Sequence, residues 1–141
     1  MTRQHDPNCI FCKIIVGEAP AAVVHEDEHT IVFMDAFPSA EGHALVVSKG
    51  HHPNVLELPQ ADLQAASAVA QRLARAQMQA LAPDGVIISQ FNGAAAGQTV
   101  FHYHIHVVPR WQGQDVNVHG RAQAEPAALQ AIANKLREAF V

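Results

Sequence analysis

The sequence predicts an α+β fold: a five-stranded, mainly antiparallel sheet packed with a long central helix and a C-terminal helix. Three observations predict it. Short β-prone runs bounded by turn residues lie on both sides of one long stretch with helical apolar spacing. Their order, three strands, a helix, two strands, then a closing helix, suits an antiparallel sheet with helices laid against it. Hydrophobic residues make up 49% of the 141 residues, enough for one core and one domain over 1–141.

Cys9 to Val16 reads as a short helix stopped near Gly17, with Pro20 beyond it. Ala22–Glu26 and Thr30–Asp35 are β-prone, and Asp27-Glu28-His29 suits the turn between them. Phe37 to Gly42 is a loop, and His43 to Ser48 is a third, more continuously apolar strand. Pro59 to Leu81 is the long helix: proline fits its first turn, Asp62 sits near the positive end of the dipole, and Leu63, Ala66, Ala70 and Leu73 form a stripe. Pro83-Asp84-Gly85 ends it. Val86–Phe91 and Phe101–Pro109 are the fourth and fifth strands. Glu125-Pro126 opens the last helix, striped by Leu129, Ile132, Ala133, Leu136 and Phe140. The core of the domain spans about 9–110, with 111–141 as a tail and helix.

A formal charge of −4 and a pI near 6.2 argue against a nucleic-acid partner. No apolar stretch is long enough for a membrane span, and the first eight residues are polar with no signal core. The chain therefore reads as cytoplasmic, a reducing setting in which Cys9 and Cys12 suit a metal half-site or redox pair better than a structural disulfide.

The chemistry concentrates in Phe101-His102-Tyr103-His104-Ile105-His106-Val107. On a strand, alternate residues face opposite ways, so His102, His104 and His106 line one face while Phe101, Tyr103, Ile105 and Val107 line a buried one. A solvated polar face would show the same alternation, so the neighbouring residues must decide. Residues two apart on a strand lie about 6.7 Å from each other. Two imidazolium charges there repel by roughly 2.4 kcal/mol at a dielectric near 20, more than the ~1.4 kcal/mol of one pKa unit. The crowding keeps the middle ring, His104, neutral and nucleophilic.

Asn92 to Val100, rich in glycine and alanine, allows close backbone approach to an anion; Gly97, Gln98 and Thr99 lie next to the histidines. Asp35, ending the second strand, suits either a ribose diol or a turn cap. His43 is either a core histidine or a partner to the site. Cys9 and Cys12 need two further ligands for zinc, and His51 and His102 are candidates, with His52 spare. Lys49 reads as a solvated charge, and His25, His29 and His119 as surface residues.

Taken together, these residues resemble the histidine-triad (HIT) family of nucleotide hydrolases and transferases, in its bacterial branch with an N-terminal CxxC. His102-Tyr103-His104-Ile105-His106-Val107-Val108 matches the family pattern His-φ-His-φ-His-φ-φ, φ being apolar. Cys9-Ile10-Phe11-Cys12-Lys13-Ile14 with Gly17-Glu18-Ala19-Pro20, Phe33-Met34-Asp35, Gly42-His43-Ala44-Leu45-Val46-Val47 and Gly97-Gln98-Thr99-Val100 are similar too.

The resemblance implies that His104 is the nucleophile, flanked by His102 and His106 and supported by His43. It implies that Asp35 binds ribose and that Asn92, Gly97, Gln98 and Thr99 border the phosphate. It also implies a structural zinc on Cys9, Cys12, His51 and His102, no organic cofactor, a purine nucleotide (AMP or GMP type) as substrate, and a homodimer with one sheet continued across two subunits. Three departures stand out: Ala36 replaces a larger apolar residue, Thr99 replaces serine, and the tail lacks Trp-Pro-Pro-Gly.

The expected reaction is attack by His104 on the α-phosphorus of a nucleoside phosphoramidate, dinucleoside polyphosphate or related adenylylated compound, then hydrolysis of the nucleotidyl-histidine. The rivals are a hydrolase with zinc on the triad itself and a non-catalytic nucleotide-binding or scaffold protein.

Overall fold

Alternation in the strands decides what lies on each side of the sheet. In β2 (Thr30–Met34), Val32 and Met34 join one buried cluster while Ile31 and Phe33 join another. In β3 (Ala44–Ser48), Ala44 and Val46 go to the first and Leu45 and Val47 to the second. Both strands are thus buried on both faces, the physical cause of the continuous apolar run at residues 44–47. The structure is a computed structural model and describes residues 4–115, 120 and 122–141; His119 lies outside the described residues.

The other elements are α1 (Ile10–Ile15), β1 (Val23–Glu26), α2 (Gln60–Leu81), β4 (Gly85–Ser89), β5 (His104–Arg110) and α3 (Pro126–Ala139). The sheet order is β1-β2-β3-β5-β4, every neighbouring pair antiparallel, as the sequence predicts. On one face, Ala66, Val69, Ala70 and Leu73 of α2 and Ala133 and Leu136 of α3 meet Val46, Ile105 and Val107. On the other, Phe11 of α1 meets Phe33, Leu45 and Val47. At six residues α1 is too short to persist alone, so it depends on that contact and on its neighbours. Inside the apolar stripe of α2 sits Gln77, which donates to the carbonyls of Gly42 and Val107 and so ties the helix to the start of β3 and to β5.

One boundary differs from expectation. The last strand begins at His104, not Phe101. Tyr103 N–H donates to the carbonyl of His52 and His102 Nε2 to that of Ser48, so the chain before His104 is drawn toward residues 48–52. Tyr103, Ile105 and Val107 are buried as expected, but Phe101 is 47% exposed and outside the core. His102 is therefore not part of a straight row of three imidazoles.

Candidate active site

β5 carries His104 and His106 on the face opposite Ile105 and Val107, opposite Val47 and Leu45 of β3. Their ring centroids lie 4.9 Å apart, and both side chains are buried and line a cleft of about 840 Å³. Phe11, Ile14, Phe33 and Leu45 form an apolar wall of that cleft, and Asp35 and Thr99 join the two histidines as polar lining. This is the size and character of a small-ligand site.

Hydrogen bonds to the backbone set the proton position on each ring. His104 Nδ1 lies 2.6 Å from the carbonyl oxygen of His102. A carbonyl has no proton to give, so Nδ1 carries it and Nε2 keeps its lone pair. His102 Nε2 lies 2.6 Å from the carbonyl of Ser48, which leaves Nδ1 of His102 bare. Burial pushes the His102 pKa down to about 4, a hydrogen bond to Ser48 opposes this, and the nearby His51 and His104 rings add to the fall. At this ring burial outweighs the mutual repulsion that the sequence suggested as the main control.

His43 is fully buried. Ser39 N–H donates to its Nδ1 at 3.0 Å, so the proton of neutral His43 is on Nε2. That nitrogen lies 3.0 Å from His106 Nδ1 and 3.4 Å from Asp35 Oδ2. His106 Nδ1 faces an N–H, so His106 carries its own proton on Nε2. Asp35 also accepts from Phe37 N–H at 2.8 Å, and thus both caps its turn and lines the cleft.

The loop residues divide. Thr99 lines the cleft. Gln98 is buried with its amide committed elsewhere: Oε1 accepts from Gly93 N–H, and Nε2 donates to the carbonyls of Pro53 and Val100. Asn92 accepts from Val55 N–H and pairs with Gln90. Gln98 and Asn92 hold the loop's shape rather than lining the cleft, and Gly97 turns it with φ +100°. Lys49 is not a solvated charge, since it pairs with Glu26 at 2.7 Å and is largely covered. His25 is half-buried between Asp27 and the ring of Phe140.

Behind His102 lies the second constellation. Cys9 Sγ and Cys12 Sγ are 3.4 and 3.5 Å from His102 Nδ1. His51 Nδ1 is 3.4 Å from Cys12 Sγ and 3.2 Å from His102 Nδ1. A tetrahedral zinc with Zn–N about 2.0 Å and Zn–S about 2.3 Å has edges of about 3.3 to 3.8 Å. The residues fit such an ion, and the bare lone pair of His102 aimed among them is what ligation requires. Burial pushes the Cys12 thiol up to about 11, so a cation there must displace its proton. His52 stands outside this cluster of four, and its carbonyl accepts from Tyr103 N–H.

The sequence reading missed the contributions of Phe11, whose ring stands edge-on to His104 at 5.0 Å, and of Ser39. It also missed Gly120, Gln123 and Ala124, which line the cleft beside Ala36. The small side chain of Ala36 was the available signal for them.

The HIT domain model matches residues 16–113. A Hit-like protein involved in cell-cycle regulation from Bartonella henselae has a structure similar to this one: TM-score 0.88, 37% identity, covering 96% of this chain and 98% of that one. A zinc-bound histidine triad family protein from Mycobacterium smegmatis gives TM-score 0.83 and 36% identity over 94% of this chain and 93% of its own. Adenylylsulfatase HINT3 from Arabidopsis thaliana is 38% identical over 109 residues, 77% of this chain and 54% of that protein.

Proposed function

The chain belongs to the HIT family of nucleotide-binding hydrolases and transferases, and from that premise we propose that it cleaves adenylylated or related nucleoside phosphoryl compounds at the α-phosphorus through a covalent intermediate on His104. The observation that carries this reading is the 2.6 Å bond from His104 Nδ1 to the His102 carbonyl, which puts the proton of the neutral ring on Nδ1 and the lone pair on Nε2 in a residue that lines the cleft.

The base of a purine nucleotide lies against Phe11, Ile14 and Phe33, and Asp35 accepts from the ribose hydroxyls. His104 Nε2 attacks phosphorus, a P–N bond forms, and the bond to the leaving amine, phosphate or sulfate breaks. His106, with its proton on Nε2, donates to a phosphate oxygen or to the departing atom, and Thr99 adds a hydroxyl donor. Such preset donors stabilise charge where it develops. Water then releases the nucleotide and restores the lone pair on His104 Nε2. HINT3 is by name an adenylylsulfatase, which supports including adenylyl sulfate beside phosphoramidates and dinucleoside polyphosphates as substrates.

Zinc held by Cys9, Cys12, His51 and His102 supplies structural cross-linking rather than chemistry. The turn of His102 toward the cysteines speaks against a zinc on the triad. A homodimer fits the sheet edge: β4 is an edge strand with Ile88 55% exposed, beside a groove of about 700 Å³ between α2 and β4. Residues 1–141 act as one domain. No described helix is long and apolar enough to cross a membrane, and the free thiols of Cys9 and Cys12 suit the cytoplasm.

The test is to quench the protein during turnover of an AMP-amidate and map any adduct by mass spectrometry. The expected result is one AMP on the peptide containing His104, absent in His104→Asn. Turnover with an unmodified His104 would overturn the reading, and tight AMP binding without turnover of any substrate would favour the non-catalytic alternative.

A further inference from the structure

His102 belongs to both constellations at once. Its ring is the meeting point of Cys9, Cys12 and His51, and its main-chain oxygen is the acceptor that fixes the proton on His104. We infer that Cys9, Cys12 and His51 are positioning residues for the nucleophile: a metal held by them and by His102 locks residue 102, and residue 102 locks His104 in the tautomer that exposes Nε2. This rests on the nucleophilic role proposed for His104.

Two separate links make the coupling. The first runs through residue 102. Its ring is pinned on one nitrogen by the Ser48 carbonyl, and the other nitrogen faces the sulfurs of Cys9 and Cys12 and the Nδ1 of His51. Without a cation, the lone pair of His102 Nδ1 meets a proton on His51 Nδ1 or on a cysteine sulfur at 3.2 to 3.5 Å, which holds the ring less rigidly than four-ligand coordination and leaves residue 102 room to shift. A carbonyl that shifts by a fraction of an ångström lengthens a 2.6 Å bond, and the preference of His104 for Nδ1–H weakens with it.

The second link runs through α1. Cys9 is its N-cap, and Cys12 and Phe11 lie within it. The Phe11 ring stands edge-on to His102 at 5.9 Å and to His104 at 5.0 Å. Tethering both cysteines to His102 therefore also presses Phe11 against the nucleophile. A six-residue helix has no stability of its own to hold that position.

The experiment uses the full chain labelled with 15N-histidine. It compares the zinc-loaded protein, the chelated protein and His51→Gln, which keeps three ligands, both cysteines among them. Long-range proton–nitrogen spectra read the His104 tautomer directly, independent of any substrate. The expected result is one Nδ1–H tautomer in the loaded protein and a mixture in His51→Gln. A fall of about 10- to 100-fold in kcat should accompany it, the cost usual for loss of a group that orients a reacting residue. KM for the nucleotide should stay within about twofold, and His51→Cys, which restores a fourth ligand, should recover both signals. Should chelation unfold the protein, His51→Gln alone decides. An unchanged His104 tautomer in folded His51→Gln overturns the inference, as does a protein that takes up neither zinc nor cobalt. If the tautomer responds to the metal but no nucleotide is turned over, the coupling stands and the proposed reaction falls.

Discussion

The backbone N–H of Ser39 points at Nδ1 of His43 from 3.0 Å. That single bond orders the protons along a buried line, because a ring nitrogen that accepts leaves its partner nitrogen to donate. His43 gives its Nε2–H to His106, 3.0 Å away, and His106 in turn keeps a proton on its own Nε2. It also settles what the neighbouring trio of Asp35, His43 and His106 can hold. Their ligand atoms lie within 4.8 Å of one another, as a metal site would need. A metal on His43 Nε2 would move the proton to Nδ1, against the Ser39 N–H, so the trio is built for hydrogen bonding instead.

His43→Phe tests this line. The ring volume is roughly kept at a fully buried position, but the donor to His106 is gone. kcat should fall about 10- to 100-fold with KM little changed, since the lost interaction orients rather than binds. A kcat within about twofold of wild type would show that His106 needs no such partner.

Gln98 and Thr99 adjoin in sequence but should respond oppositely. Gln98→Ala strands partners in Gly93, Pro53 and Val100, and at about 1 kcal/mol for each bond should cost about 2–4 kcal/mol in denaturant unfolding. Thr99→Val leaves stability within about 0.5 kcal/mol and lowers kcat/KM about tenfold, one donor's worth (~1.4 kcal/mol) at the phosphate. Equal stabilities for the two variants would mean that the buried amide is not what holds the loop.

Period-two and helical spacing were enough to read the element order, the continuous apolar run of β3 and the shared strand face of His104 and His106, because these depend on local pattern. What failed depended on contacts far along the chain. The alternation runs unbroken from Phe101 to Val107, yet Tyr103 pairs with His52 and leaves the strand three residues short of the pattern. Gln77 looks like a surface residue of α2 until the carbonyls of Gly42 and Val107 are brought to it. Lys49 looks solvated until Glu26 stands beside it. Residue type made His102 one candidate among several histidines for Cys9 and Cys12, and resemblance singled it out, since separations of 93 and 90 residues carry no geometric information.

Asp27 makes stability depend on acid. Burial pushes its carboxyl up, but bonds from His25, from His29 N–H and from Thr30 outweigh this and bring it from 3.8 to about 2. A carboxyl lowered on folding stabilises the native state fully above its unfolded value and loses that contribution as pH falls through the folded one. Asp27→Asn should therefore unfold more easily than wild type at pH 5 to 7, and the gap should close between about pH 4 and pH 2. A gap constant over that range in urea titrations would show that the charge is not what the turn uses.

The last test concerns the wall that Ala36 makes room for. Ala124 N–H donates to the Ala36 carbonyl at 2.9 Å, and Gly120 lies so close to the loop that an added Cβ would stand 2.2 Å from the Pro38 oxygen and 2.3 Å from that of Phe37. Those are backbone atoms and cannot swing aside as a side chain could, so Gly120→Ala must lift the segment off residues 37–38. Both Gly120 and Ala124 line the cleft next to Asp35, whereas His104 is held from the other direction, by residue 102. Displacing the wall should therefore weaken nucleotide binding and leave the nucleophile in place. KM should rise about three- to tenfold, the scale of one lost pocket contact, with kcat changed less than about twofold. A wild-type KM in Gly120→Ala would show that this segment does not confine the substrate; a collapse of kcat at unchanged KM would tie it to the reacting atoms instead.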